Sequence, residues 1–266
     1  MHILPFQFSD LIYLNNLRPE GWADISPAFE FYLKSHQAHP IKVLDEDIIV
    51  GLGAAVVHNE VAWLAHIIVH PKWRNQGIGS LITNTLIQDA HKHGCNTLSL
   101  IATDMGAPVY AKLGFETETE YLFYKDIEAD STWEIPADVI VCDEQHCSQI
   151  IDMDLHVSGE ERQYLLKPHL ADAYVFARNG KVEGYYLPSL GEGLINAQST
   201  EAGIELMKLR LQTHNNAAFP IENKVMSAFF VQLGCQPFKQ AKRMVLGPKR
   251  NWQGTQMYNR IGGNLG

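Results

Sequence analysis

The sequence is poor in cysteine, in positive charge and in long apolar runs, and each shortage narrows what the chain can be. Its four cysteines among 266 residues are Cys95, Cys142, Cys147 and Cys235, and none forms a C-x-x-C pair. That spacing points to reduced thiols rather than a disulfide framework or a zinc ribbon. The twelve histidines are scattered rather than spaced for a metal, and no metal is expected. No run approaches the roughly eighteen apolar residues of a membrane span. The opening Met-His-Ile-Leu-Pro-Phe-Gln lacks a basic segment followed by a long apolar stretch, so it does not read as a signal peptide. A cytoplasmic protein with no membrane partner is expected. Lys and Arg total 21 against 30 Asp and Glu, a formal net charge of −9. That balance argues against a nucleic-acid surface and is compatible, weakly, with a cationic substrate.

What the chain has is core material and one conspicuous loop. Hydrophobic residues make up 46% and charged residues 19%, enough for one large domain or two ordinary ones. The loop is Arg74-Asn75-Gln76-Gly77-Ile78-Gly79, with Ser80 following. It lies between a strand-like run, Trp63 to Val69, and a helix-like run, Ile78 to His93, in which Ile78, Leu81, Ile82, Leu86 and Ala90 keep helical spacing. No Gly-Lys-Ser/Thr follows the glycines, so this is not a P-loop; a third glycine is missing, so it is not a dinucleotide fingerprint. Glycines at a helix start let backbone N–H groups approach an anion at the positive end of the helix dipole, and a diphosphate is the expected ligand. Downstream come a strand, Thr97 to Ala102, and a short helix, Pro108 to Phe115, ending at Gly114.

Two signatures in this order resemble the GNAT superfamily of N-acetyltransferases over roughly residues 1–127. The loop is similar to that family's R/Q-x-x-G-x-G/A pyrophosphate motif, and Tyr110, Gly114 and Phe115 to its Tyr-x-x-x-Gly-Phe helix. The resemblance implies a mixed twisted sheet flanked by helices, acetyl-CoA as cosubstrate, and direct acetyl transfer to an amine with no covalent enzyme intermediate. It implies that pantetheine runs along Ile67, Ile68 and Val69, that Arg74 to Ser80 hold the pyrophosphate, and that Thr103 and Gly106 neighbour the cofactor. Asp104 stands where many family members have asparagine, which leaves that contact open. Tyr110 is the candidate general acid, because a phenol keeps its proton at neutral pH. His66, on the strand beside the expected thioester, is the candidate base, with a structural histidine as the alternative.

The organisation reads as an α/β (α+β) chain of two GNAT-like domains, 1–127 and 136–266, separated near Asp126 to Ile135. Before that boundary the expected elements are strands at Met1–Phe8, Ile41–Leu44, Ile48–Val57, Val61–Val69 and Glu118–Lys125, with early helices through Leu17 and over Ser26–Ser35. After it, Asp143–Leu155 reads as a helix, Ser158-Gly159-Glu160-Glu161 as the start of another, and Asn179-Gly180 as a type I′ hairpin turn. Gly193–Gln198, Thr200–Thr213 and Val225–Gln232 repeat strand, helix and short helix. This resembles tandem GNAT proteins with a degenerate second domain. The loop there, Gln198 to Gly203, has no arginine, one glycine and Glu201 at the helix start. Phe230 stands four residues before Gly234, where Tyr110 stands before Gly114. The second half is therefore expected to bind no CoA and to shape the acceptor pocket. Trp22, Glu222 and Asn223, with Tyr258, are the candidate acceptor contacts. A small-molecule amine or amino acid is the expected acceptor. A protein-lysine or N-terminal acetyltransferase and a non-catalytic acetyl-CoA sensor stay open, as do the oligomeric state and the physiological acyl group.

Overall fold

The computed structural model describes all 266 residues, Met1–Gly266. The chain forms two compact units: Met1–Thr117 with Met244–Lys249 and Leu265, and Glu118–Arg243 with Arg250–Asn264 and Gly266. No helix is long and apolar enough to cross a membrane.

The first unit contains β1 (His2–Pro5), α1 (Leu14–Leu17), α2 (Ser26–Lys34), β2 (Ala38–Asp45), β3 (Ile48–His58), β4 (Val61–Val69), α3 (Ile78–Lys92), β5 (Thr97–Ala102) and α4 (Ala107–Lys112). The strands lie in the order β1-β2-β3-β4-β5. Pairing is antiparallel up to β4, and β5 joins β4 in parallel. A parallel neighbour needs a crossover, and α3 supplies it. Its residues Ile78, Ile82, Leu86 and Ala90, four apart, bury one stripe against Val43, Val50, Ala55 and Leu64 of the sheet. The opening strand is shorter than Met1–Phe8. Asp10 takes the Gln7 N–H at 2.7 Å and turns the chain into a 3-10 segment, Phe8–Tyr13, before α1. Residues Met244–Lys249 return to this unit, where the Thr97 hydroxyl donates to the Pro248 carbonyl at 2.7 Å.

The second unit contains β6 (Glu116–Tyr124, entering it at Glu118), β7 (Val139–Val141), α5 (Glu144–Ser158), α6 (Gln163–Leu166), β8 (Tyr174–Arg178), β9 (Lys181–Leu187), β10 (Leu194–Ala197), α7 (Thr200–Leu211), β11 (Ala217–Pro220), α8 (Lys224–Gln232), β12 (Lys239–Leu246, leaving it after Arg243) and β13 (Met257–Asn259). One antiparallel sheet runs β13-β10-β9-β8-β7, and β11 pairs antiparallel with β6. Asn179 and Gly180 both take positive φ, 52° and 75°, as a type I′ turn requires. Residues 126–135 lie inside this unit. Ile127 is buried in its core, and its N–H donates to the Asn215 carbonyl. Ser158 to Glu161 ends a helix instead of starting one. Gly159, at φ 67°, is the left-handed C-cap of α5. Strands β11 and β13 replace stretches that show no clear alternation in the sequence.

Candidate active site

In the first unit, β4 and β5 begin together and then part. Their parallel pairing covers Val61–Thr97, Ala62–Leu98 and Trp63–Ser99 and goes no further, although β4 continues to Val69 and β5 to Ala102. Beyond Trp63, that edge of β4 has no strand partner. A β-bulge accompanies the parting. Leu52 pairs with Ile68 and Ala54 with Ala65, so His66 and Ile67 together oppose Gly53. His66 takes φ +48°, which re-aims its side chain and increases the local twist. An extended amide chain laid against Ile67, Ile68 and Val69 finds unpaired backbone groups there, as an added strand does.

Past the end of β4 lies the glycine loop. Arg74 is extended, Asn75 takes φ +60° and Gly77 φ +81°, and Gly77 is the N-cap of α3. No side chain caps this helix and no acidic residue sits in its first turn. Its first N–H groups and its positive dipole end are therefore open to an anion. A Cβ at Gly79 would meet nothing nearer than Val69 Cγ2 at 3.9 Å, so internal packing does not demand glycine there. Arg74 Nε donates to the Val69 carbonyl at 3.2 Å, which fixes the guanidinium beside the strand end and leaves its terminal nitrogens for a ligand. Asn75, Gln76 and Gly77 are exposed, and Gly79 and Ser80 half-buried. His70 caps the short turn Pro71–Trp73 and stacks edge-on to Trp73.

Tyr110 is buried on α4, in the same apolar cluster as Ile67, Val69, Ile78 and Ala102. Gly106 makes room for its ring: a Cβ there would lie 2.8 Å from Tyr110 Cε2. Thr103 Oγ1 accepts the Gly106 N–H at 3.1 Å and holds that turn. Burial alone pushes the Tyr110 phenol up to about 12. It stays protonated across the working range, and no protein acceptor draws its proton away.

His66 sits in a box of aromatic rings. Its centroid is 5.7 Å from Phe29, 5.7 Å from Tyr32 and 6.2 Å from Trp22, all edge-on. Tyr32 Oη and His66 Nδ1 are 2.7 Å apart. Burial among these rings pulls the imidazole down to about 4. At neutral pH His66 is neutral: too weak a base to strip an ammonium, able to accept a hydrogen bond from an amine. For Nε2 to accept, Nδ1–H must donate to the Tyr32 oxygen. The structure thus brings Trp22 and His66 together and adds Phe29 and Tyr32. Their i, i+3 spacing on α2 was the available signal.

The second unit starts α7 differently. Ser199 caps α7 by accepting the Ala202 N–H at 3.3 Å. Glu201, in the first turn, forms a two-pronged pair with Arg178 at 2.6 and 2.7 Å. The Tyr258 ring occupies the space at Gly203, where a Cβ would fall 2.1 Å from Cε1. Tyr258 is thus packing for a helix start. Asn223 is buried and committed: its oxygen accepts the Met226 N–H at 2.9 Å and its nitrogen donates to the Met257 carbonyl at 3.0 Å. It is a cap, not a pocket residue. Glu222 is exposed and accepts the Thr119 hydroxyl at 2.6 Å.

Residues 8–115 match the acetyltransferase (GNAT) family. That match spans less than half of the chain, and the fold comparisons extend past it. A candidate acetyltransferase from Pyrococcus horikoshii is similar over 100% of this chain and 95% of its own, with a TM-score of 0.86 at 18% identity. A tandem GNAT protein of the clavulanic acid biosynthesis pathway is similar over 93% and 99%, with a TM-score of 0.61 at 16% identity. A glucosamine N-acetyltransferase region of a fungal multi-domain β-N-acetylglucosaminidase covers 92% of this chain and 38% of its own, at 0.65 and 12%. At these identities the likeness is one of fold. No curated protein is similar to this chain in sequence.

Proposed function

We propose that the chain is an acetyl-CoA-dependent N-acetyltransferase acting on the amine of a small molecule or amino acid, with its chemistry confined to the first unit. The observation that carries this reading is the pairing of an uncapped, glycine-opened helix with an adjacent strand whose edge loses its partner after Trp63. Together they fit a diphosphate joined to an extended amide chain, the two ends of one CoA molecule. Ile78, Gly79 and Ser80 N–H groups and Arg74 hold the diphosphate, Ile67 to Val69 hold the amide arm, and Thr103 and Gly106 flank it. Bound acetyl-CoA supplies the acetyl thioester. Tyr110 Oη holds the proton that the leaving sulfur requires. His66 accepts a hydrogen bond from the attacking amine while water takes the amine's excess proton, since an imidazole near 4 is a poor proton reservoir. Trp22, half out of the aromatic box, is the acceptor's wall.

The second unit is read as a GNAT-like relative that has lost cofactor binding. Support comes from its self-capped helix, the Glu201–Arg178 pair and the Tyr258 plug. Acetyl-CoA turnover with an amine library tests the reading. CoA release that depends on adding an amine is expected. Binding of acetyl-CoA with no amine-dependent release would make the chain a sensor.

A further inference from the structure

Three metal-ligating side chains that the sequence keeps far apart meet in the first unit, at the other end of α3 from the glycine loop. His39 lies on the β2 face that also carries Ile41 and Val43, both packed on the α3 side of the sheet. Asp89 and His93, four apart, share one face of the last turn of α3. One ligand atom from each lies within 4.8 Å of the other two. His39 Nδ1 is 3.4 Å and His93 Nδ1 3.6 Å from Asp89 Oδ2, and the two imidazole centroids are only 4.0 Å apart.

Asp89 Oδ2 is buried and takes no hydrogen bond, which is costly for a carboxylate oxygen. Two imidazoles pack against it, and a cation bound among the three side chains would give that oxygen a direct partner. Metal–ligand bonds of about 2.0–2.1 Å put tetrahedral neighbours about 3.4 Å apart, and the His39–Asp89 separation already has that value. His93 Nδ1 also lies 2.9 Å from the Asp89 backbone carbonyl. A carbonyl can only accept, so Nδ1 carries the proton; the 3.6 Å separation from Asp89 then belongs to the non-ligating nitrogen, and Nε2, which keeps its lone pair, is the ligand atom, the usual way a ligand histidine is oriented. The C-terminal end of α3 adds negative potential at the same place. The three side chains remain 25–43% exposed, so an ion and a completing water have access.

We propose that His39, Asp89 and His93 form a binding site for a divalent transition metal, with Zn²⁺ the best match to two imidazoles and one carboxylate. The ion clamps the start of β2 to the end of α3. It is a structural site, separate from Tyr110 and His66, and acetyl transfer does not pass through it.

Titration of the metal-free full chain with Co²⁺, followed by visible absorption, tests the site. One Co²⁺ per chain with a nitrogen–oxygen spectrum is expected. Asp89→Asn, His93→Gln and, from the other element, His39→Gln should each weaken binding at least tenfold while leaving the metal-free melting midpoint near that of the unaltered chain. Zn²⁺ at a hundredfold excess over its Kd should raise the midpoint of the unaltered chain by about 5–10 °C, and should not do so in the variants. Failure to bind, equal binding by all three variants, or a thiolate charge-transfer band placing the ion on cysteine would overturn the proposal.

Discussion

The burial of His66 makes a quantitative prediction. An unperturbed histidine titrates near 6.5, and here the aromatic box pulls it to about 4. Each pH unit of depression corresponds to about 1.4 kcal/mol. The folded unit therefore resists protonation of this ring by about 3 kcal/mol. Because the folded state holds fewer protons than the unfolded one, the contribution is complete above pH 6.5 and is lost as pH falls toward 4. By pH 5 about 2 kcal/mol of it is gone. The direct assay is NMR titration of the His66 Cε1–H resonance, assigned by its absence in His66→Gln. A midpoint near 4 is expected, moving upward in Trp22→Ala as water enters the box. Urea denaturation at pH 7.5 and pH 5 should show His66→Gln losing about 2 kcal/mol less than the unaltered chain. A His66 midpoint at 6.5 would refute both the buried setting and the assignment of a permanently neutral imidazole.

Further outcomes follow from other groups. Tyr110→Phe should lower kcat by about 10²–10⁴ with acetyl-CoA affinity unchanged, read by steady-state kinetics and calorimetry. Activity should not fall at alkaline pH through Tyr110 until pH approaches its raised value of about 12. Asp154→Ala should destabilise the second unit by about 3–5 kcal/mol in chemical denaturation, because it leaves buried Arg162 without the carboxylate that accepts its Nε–H at 2.9 Å.

What was legible in the sequence was local. Gly77 and Gly79 after Arg74, the fourfold spacing along α3 and the Asn179-Gly180 turn each depend on neighbours in the chain, and each took the expected shape. What stayed hidden was non-local or ambiguous. The parting of β4 from β5 is accompanied by a bulge at His66 that no alternation pattern marks. The return of Met244–Lys249 to the first unit joins residues more than a hundred positions apart. Ser158-x-x-Glu161 imitates a helix start, but Gly159 takes the left-handed conformation that ends one. Asn223 reads as a candidate acceptor contact and is a buried cap. Tyr32 was one aromatic among many until α2 placed it 2.7 Å from His66. The histidines looked scattered because His39 and His93 belong to different elements.

In the proposed division of labour, the start of α3 binds CoA and the start of α7 does not. Isothermal calorimetry with acetyl-CoA measures this most directly, on the full chain and on Gly79→Asp. The Cβ has room at Gly79, so the added carboxylate repels the diphosphate without disturbing the fold. One acetyl-CoA per chain is expected for the unaltered protein and none for the variant, at an unchanged melting midpoint. Two molecules per chain, or one still bound in Gly79→Asp, would contradict that division.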